Sequence, residues 1–436
     1  MKKVFIILII ILLPATLLRI NVAPGVNIKF AEILLIPYFV FLVYCMLLAQ
    51  EIKFCGIISI PIILFLCGLT ISSLVTIDLK STFVYNLTIL IDIMIVIVIY
   101  NYITDSKSLI FIVNLFILSA LVTCILGISS YLLPDNLFFE KLSIGSSYGR
   151  KVESYVGDPN RFASFINMAL SISFARYLFG NKRLSKYFFI FSVIFLVGIT
   201  LSGSRAAIII SYLTCVSQLL AYLILKGKEN VVWITKIRRI ILIIPIIMLL
   251  GFLLFRPHGS EFSIYDRFKS PNQSEGEIGF SNIRFEFWRQ GIESFLRHPL
   301  TGTGPFTFEL GKSTDIHGRD SSFSSHNLYV EILSTGGLVS FIPFIIILLF
   351  LLLSAERGII RFYAGENSEL LSISVGLFFG FLGFLIHAIV ITLFNERYVW
   401  LFFALIVSID YVKSHLNQDN FDRVPENFKE RNRFDQ

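Results

Sequence analysis

Residues 109–133 read LIFIVNLFILSALVTCILGISSYLL and contain no charged side chain. As an α-helix, this run is long enough to cross the roughly 30 Å hydrocarbon core of a bilayer. Apolar runs of this length recur along nearly the whole chain and override the expectation of several soluble domains. The run therefore indicates a transmembrane helix in one polytopic membrane domain.

The recurring runs predict the fold class. Their hydrophobic stretches begin near Val4, Phe30, Phe54, Phe83, Leu109, Arg161, Tyr187, Ala206, Ile240, Leu328, Leu370 and Tyr398. We therefore expect an all-α integral membrane protein of about twelve transmembrane helices. The composition agrees, since 55% of the residues are apolar and 15% are charged, and the mean hydropathy is +0.77. These values exclude an ordinary water-soluble enzyme.

Cysteine usage and net charge exclude further classes. The five cysteines lie in or beside apolar runs and form no C-x-x-C pair, so neither a disulfide framework nor a zinc site is expected. The net charge of +7 is spread over short gaps between hydrophobic runs. A nucleic-acid partner is therefore not expected, and the basic residues are interpreted as topology signals.

Positive charge predicts the orientation of the chain. With a cytoplasmic amino end, basic clusters fall inside; they comprise Lys182, Arg183, Lys186, Lys226, Lys228, Lys236, Arg238, Arg239, Arg357 and Arg361. Residues 1–412 then form the membrane domain, and the polar residues 413–436 form a cytoplasmic tail. The opposite, extracytoplasmic face holds the loops 134–160, 202–205, 256–325 and 395–397.

The loop 256–325 is too long to be only a connector, so it should have its own structure. Within it, residues 282–297 place Phe285, Trp288, Ile292, Phe295 and Leu296 on one helical face. We expect a short amphipathic helix that carries Arg284 and Arg289 and ends at His298-Pro299. An amphipathic helix lying on the membrane surface, with both arginines solvated, has the same pattern.

His326 stands at the amino end of a predicted membrane helix, in the sequence SSHNLYVE of residues 324–331. The positive end of a helix dipole disfavours the imidazolium form. A neutral imidazole can accept a proton from a hydroxyl, as a general base must near neutral pH. An interfacial histidine without a catalytic role would occupy the same position. Glu331, one turn deeper, either orients a partner or pairs with a buried arginine.

Two further arginines lie at the same predicted level. Arg205 follows the small residues Ser-Gly-Ser in a very short turn between two spans, where a bulky anionic group can approach it. A snorkelling arginine would have the same context. Arg161 follows the turn Gly-Asp-Pro-Asn of residues 157–160, in which Asp158 or Asn160 can cap the next helix.

In this order, four motifs resemble the O-antigen ligase and polymerase superfamily. They are Ser-Gly-Ser-Arg205, Arg284-x-x-x-Trp288, the turn HPLTGTG at residues 298–304, and Ser-His326-Asn327-x-Tyr329. The resemblance covers a ligase-related core of about residues 157–350. It implies a GT-C-like, metal-independent and cofactor-free glycosyltransferase in the bacterial cytoplasmic (inner) membrane, acting outside that membrane on glycans carried by undecaprenyl diphosphate.

The resemblance also implies roles for individual residues. Arg205 and Arg284 match the arginines that hold the diphosphate, and Arg289 is a further candidate. His326 matches the histidine that deprotonates the acceptor hydroxyl. The candidate supporting residues are Asn327, Glu331 and Arg161. The implied partners are the lipid-linked donor, membrane lipids and an acceptor, which is either a glycan or lipid A-core.

Three functions remain open at this point. A ligase passes the finished glycan to a terminal acceptor, and the motifs favour this function. A polymerase uses the same chemistry but passes the glycan to another lipid-linked repeat. A multi-span transporter or flippase would instead use ionisable residues within the spans, for which the candidates are Glu32, Asp92, Glu331 and His387.

Overall fold

The structure is a computed structural model of the chain. It describes residues 2–23, 26–49, 56–76, 78–133, 151–226, 280–305, 307–308, 313–314, 320–321, 325–365 and 367–422.

Twelve α-helices lie within the described residues. They are α1 (Lys2–Leu12), α2 (Phe30–Leu48), α3 (Ser59–Ser73), α4 (Leu79–Tyr102), α5 (Ser106–Leu132), α6 (Pro159–Phe179), α7 (Ser185–Ser202), α8 (Arg205–Lys226), α9 (Phe280–Arg297), α10 (Leu328–Ala364), α11 (Ser368–His387) and α12 (Arg397–Asp422). Two short antiparallel hairpins pair β1 (Arg19–Ala23) with β2 (Val26–Lys29), and β3 (Ser313–Thr314) with β4 (Asp320–Ser321).

The all-α membrane class is confirmed. Within the described residues, eight helices are long and apolar enough to cross a membrane, and two shorter apolar helices accompany them. Each predicted run has a matching helix except the run near Ile240, which lies outside the described residues. The predicted start of the polar tail falls inside α12, which continues to Asp422, and residues 423–436 are outside the described part.

Polar side chains fix where several helices begin. Asp158 Oδ1 accepts hydrogen bonds from the backbone N–H groups of Asn160 (2.9 Å) and Arg161 (2.8 Å) at the start of α6. Asp78, Asp105, Asn327 and Asn367 cap α4, α5, α10 and α11 in the same way. These caps satisfy N–H groups that a helix cannot bond internally, which would otherwise be costly near hydrocarbon.

The centre of the bundle is built from α6 and α12. Residues Phe162–Phe179 of α6 are buried throughout, as is the segment from Tyr398 to Val407 in α12. The ring of Tyr398 packs against Phe165 with centroids 5.0 Å apart. Because both helices are enclosed, their outer turns are held firmly, and the residues that begin them have defined positions.

The loops that carry the sequence motifs meet at one end of the bundle, here called the site end. Leu17 N donates to Tyr155 O at 3.2 Å, which joins the segment after α1 to the segment before α6. Leu328 N donates to Ala388 O at 2.8 Å, which joins the start of α10 to the end of α11. The side of the membrane on which this end lies stays a prediction, and residues 134–150 and 256–279 of the predicted outer loops lie outside the described residues.

Candidate active site

The glycine turn, residues 298–304, is seated in a break of α10. Gly337 interrupts that helix with φ 60° and ψ −170°. The backbone N–H of Leu338 then donates to Pro299 O at 3.0 Å instead of to its own helix. A Cβ at Gly337 would lie 2.3 Å from Leu300 O. This contact ties the end of α9 to the first part of α10, so the helix that carries Arg284 and the helix that follows His326 are fixed together.

Gly337→Ala should therefore destabilise the protein. Positive φ with this ψ is almost confined to glycine and costs other residues about 1–3 kcal/mol, and the contact with the turn adds to that cost. The matched control is Gly365→Ala, because Gly365 has φ −85° and a Cβ there would meet only Arg361 O at 3.4 Å. Thermal unfolding of both purified variants in detergent tests this expectation, and equal midpoints would contradict it.

The amphipathic helix predicted in the long loop is present as α9. One face lies against α10, where a Cβ on Gly291 would come within 2.4 Å of the Val330 side chain. The opposite face exposes Phe285, Ile292 and Leu296. An exposed apolar stripe of this kind suits the surface of a bilayer. The helix is thus held by α10 on one side while it presents its apolar residues on the other.

His326 lies directly before α10 in a strained conformation. Its φ is +49°, which is uncommon outside glycine and concentrates at functional sites. The side chain is half-buried. Burial lowers the pKa of His326, and the cations of Arg284 and Arg161 lower it further, whereas Asp158 opposes them. The imidazole is therefore neutral near pH 7 and able to accept a proton.

The residues after His326 explain its fixed position. Asn327 caps α10, because its Oδ1 accepts from Tyr329 N at 3.0 Å and from Val330 N at 3.1 Å. Ser325 Oγ donates to Glu331 Oε2 at 2.9 Å and accepts from Asn327 N at 3.1 Å. Asn327 and Glu331 thus hold the backbone on both sides of His326. Of the two predicted roles of Glu331, the described contacts favour orientation of a partner.

The positive charges of Arg284 and Arg205 act on each other. Burial lowers the pKa of the Arg284 guanidinium, and the positive charge of Arg205 lowers it further. Within the described part of the chain, no carboxylate pairs with Arg284. Partial burial of a cation beside another cation is unfavourable, and a bound anion would offset that cost. The Arg284 guanidinium therefore has the character of an anion site.

The turn before Arg205 is as short as its sequence predicts. Helix α7 ends at Ser202 and α8 begins at Arg205, with Gly203 at φ 68° between them. Ser204 is buried, and its Oγ has no hydrogen-bond partner within the described residues. A hydroxyl next to a guanidinium gives a bound anion a second donor. The small side chains also leave room for a bulky group to approach.

Arg161 joins the same cluster. It stands in the first turn of α6, and its charge acts on His326. Its Nη1 lies 3.0 Å from Glu396 Oε1. Arg205, Arg284, His326 and Arg161, predicted from separate motifs, are therefore brought together at the site end.

Arg289 is placed differently. Its Nη2 lies 2.6 Å from Glu286 Oε1, and its Nη1 also contacts Glu293. All three side chains are exposed on one face of α9. A phosphate would have to displace two carboxylates to reach this guanidinium. The structure thus does not bring Arg289 to the cluster, and its assignment to the diphosphate stays a prediction.

Three residues near the cluster were not identified as site residues from the sequence. Glu396 pairs with Arg161, and His387 lines a cleft with Asn167 and Thr214, where the charge of Arg284 reaches it. Glu153 is a buried carboxyl group whose pKa is raised to about 7, first by burial and then by Asp158. The only sequence signal for these residues was an ionisable side chain within or beside an apolar run.

The fold and the cluster define a class of protein, namely an integral membrane protein with a cationic site at one end of its bundle. Residues 190–345 match the family model described as O-Antigen ligase. The matched part contains Arg205, Arg284 and His326, and the match confirms the resemblance to the O-antigen ligase and polymerase superfamily. No curated protein matches the chain.

The family match supports a coarse function. Members are glycosyltransferase-like enzymes that act on lipid-linked glycans and on polysaccharide or lipid A-core substrates. The chain is accordingly a multi-pass membrane protein with the general function of the O-antigen ligase family. Within the described residues, no group of three or more His, Cys, Asp and Glu side chains is placed to hold a metal ion.

Proposed function

We propose that the chain is an O-antigen ligase-like glycosyltransferase of the cytoplasmic membrane. It transfers a glycan from undecaprenyl diphosphate to an acceptor hydroxyl on the extracytoplasmic face, in the synthesis of a cell-surface polysaccharide. The observation that carries this proposal is the half-buried Arg284 beside Arg205, next to a neutral His326. An anion site adjacent to a base is what such a transfer requires.

In the proposed reaction, the acceptor oxygen attacks the anomeric carbon of the donor glycan. A new carbon–oxygen bond forms as the bond to the diphosphate breaks, and His326 takes the proton of the attacking hydroxyl. The departing undecaprenyl diphosphate gains negative charge, which Arg205 and Arg284 stabilise. As in the family, the single displacement inverts the anomeric centre, and no metal takes part.

The contacts of the ionisable residues within the spans do not favour a transporter. Glu32 and Asp92 both bond Arg397 in a buried cluster. Glu331 accepts from Ser325 next to His326. Charges fixed in this way suit a static scaffold around an outer site better than a path that opens alternately to either side.

The test is the profile of undecaprenyl-linked glycans in the native host. The strains are the wild type, a deletion, and the deletion carrying His326→Ala. Lipid-linked long polymer that accumulates in both mutants is the expected result and identifies a ligase. Accumulation of single repeats would replace the ligase by a polymerase with the same chemistry. An unchanged profile would overturn both enzyme functions.

A further inference from the structure

The turn between α11 and α12 buries two opposite charges side by side. The side chain of Glu396 is 2% exposed, and that of Arg397 is 5% exposed. Charges at the boundary of a membrane are expensive to bury unless each finds a partner. Glu396 pairs with one residue and Arg397 with two, and the partners of Glu396 and of Arg397 lie in different parts of the bundle.

Arg397 bonds the amino-terminal helices. Its Nη2 lies 2.5 Å from Glu32 Oε1 in the first turn of α2, and its Nη1 lies 3.2 Å from Asp92 Oδ1 in α4. Glu32 is itself oriented, because its Oε2 accepts from Lys29 N at 3.1 Å. Breaking a buried cluster of this kind leaves uncompensated charge, so it holds one arrangement. The turn is thereby fixed to α2 and α4.

Glu396 contacts the cluster at the site end instead. Its Oε1 lies 3.0 Å from Arg161 Nη1, and two residues further on Tyr398 Oη donates to Arg161 O, also at 3.0 Å. The start of α12 therefore holds both the side chain and the main chain of Arg161. Helix α6, which Arg161 helps to begin, also contacts the start of α8, since Asn167 Nδ2 donates to Ala207 O at 3.4 Å, two residues after Arg205. The charge of Arg161 in addition acts on His326.

We propose that Glu396 is a positioning residue that holds Arg161 as a third guanidinium of the diphosphate site. This inference rests on the proposed function and deepens it. Arg161 binds the donor diphosphate together with Arg205 and Arg284, and the turn clamped by Arg397 determines where Arg161 stands. The amino-terminal helices, outside the region that matches the family, thereby contribute to the site.

Charge explains why a positioning carboxylate is needed. Three guanidinium groups that converge on one site repel one another before the donor arrives. Glu396 offsets the charge of Arg161 from the buried side. The short ion pair also fixes the orientation of the planar guanidinium group of Arg161. Without Glu396, the Arg161 side chain would turn toward water, because it is already 42% exposed. The donor would then be held by two cations in place of three.

A double-mutant cycle tests the proposal. Glycan transfer is measured with purified protein and the lipid-linked glycan extracted from the deletion strain, for wild type, Arg161→Gln, Glu396→Gln and the double variant. Binding of undecaprenyl diphosphate alone is measured in the same four proteins. We expect each single variant to weaken both about tenfold, and the double variant to be no worse than Arg161→Gln alone. Glu396→Asp should recover part of the loss.

The control is Glu369→Gln, which removes the partner of buried Arg176 away from the cluster and should leave transfer and binding unchanged in the folded fraction. The proposal would be overturned if the losses of transfer and binding in Arg161→Gln and Glu396→Gln multiplied in the double variant. It would also be overturned if Glu396→Gln had no effect on either. If Glu396→Gln does not fold, Glu396→Asp takes its place in the cycle. A wild type that binds undecaprenyl diphosphate without transferring glycan would refute the proposed function but not this inference.

Discussion

Replacement of His326 by alanine is expected to slow glycan transfer by about 10²–10⁴-fold, the usual contribution of a general base. Binding of undecaprenyl diphosphate should change little, because the arginines that hold it stay in place. The measurement is single-turnover transfer with saturating lipid-linked donor, together with a separate binding isotherm for undecaprenyl diphosphate. A change confined to the chemical step is the signature of a group that acts on the proton.

His298→Ala is the matched control for this substitution. His298 directly follows α9 and begins the glycine turn; its side chain is exposed, and the backbone makes its hydrogen bonds to α9 and to Gly302. An imidazole is therefore removed at the same end of the bundle without loss of those bonds. We expect near-normal transfer from His298→Ala. Equal losses in both variants, or loss of donor binding in His326→Ala, would remove His326 from the role of base.

The pH dependence gives an independent check on His326. The base must be neutral, and its pKa lies below the ordinary histidine value because of burial and the charge of Arg284. Transfer should consequently persist below pH 6.5 and decline only as the pH falls through the lowered pKa. Removing the cation with Arg284→Gln raises the pKa of His326, so the remaining activity should decline at a higher pH. In His326→Ala, the residual transfer should no longer decline as the pH falls through this range.

Much of the fold could be predicted from the sequence because a bilayer imposes simple rules. A helix must be long and apolar to cross, so the runs near Leu109 and Leu370 indicated α5 and α11 directly. Even the amphipathic α9 followed from the spacing of a few large apolar residues. The break at Gly337 did not follow, because a glycine inside an apolar run is common in membrane helices.

The candidate site was predictable only where a motif was local. The Ser-Gly-Ser turn before Arg205 and the position of His326 before a span are both contained in a few consecutive residues. The pair of Arg161 and Glu396 joins distant parts of the chain, and no periodicity relates them. Such a contact is fixed by how helices pack, which neither composition nor spacing determines.

Arg284→Lys should lose most transfer activity, at least about tenfold, although the charge is kept. Lysine presents a point charge, whereas arginine presents a planar fork that can grip two phosphate oxygens at once. Arg284 has no carboxylate partner within the described residues, so the bound diphosphate is the anion that would meet it. The readouts are the rate of transfer and the affinity for undecaprenyl diphosphate, both of which should fall.

Arg289→Lys on the same helix provides the sharpest comparison. Glu286 and Glu293 stand three residues before and four residues after Arg289, the spacing at which helical side chains pair, and both contact it on the exposed face. Exposed pairs of this kind contribute little, so this variant should fold and transfer normally. If Arg289→Lys were as damaging as Arg284→Lys, the diphosphate would have to reach the exposed face of α9. The anion site would then lie along that helix instead of between Arg205, Arg284 and His326.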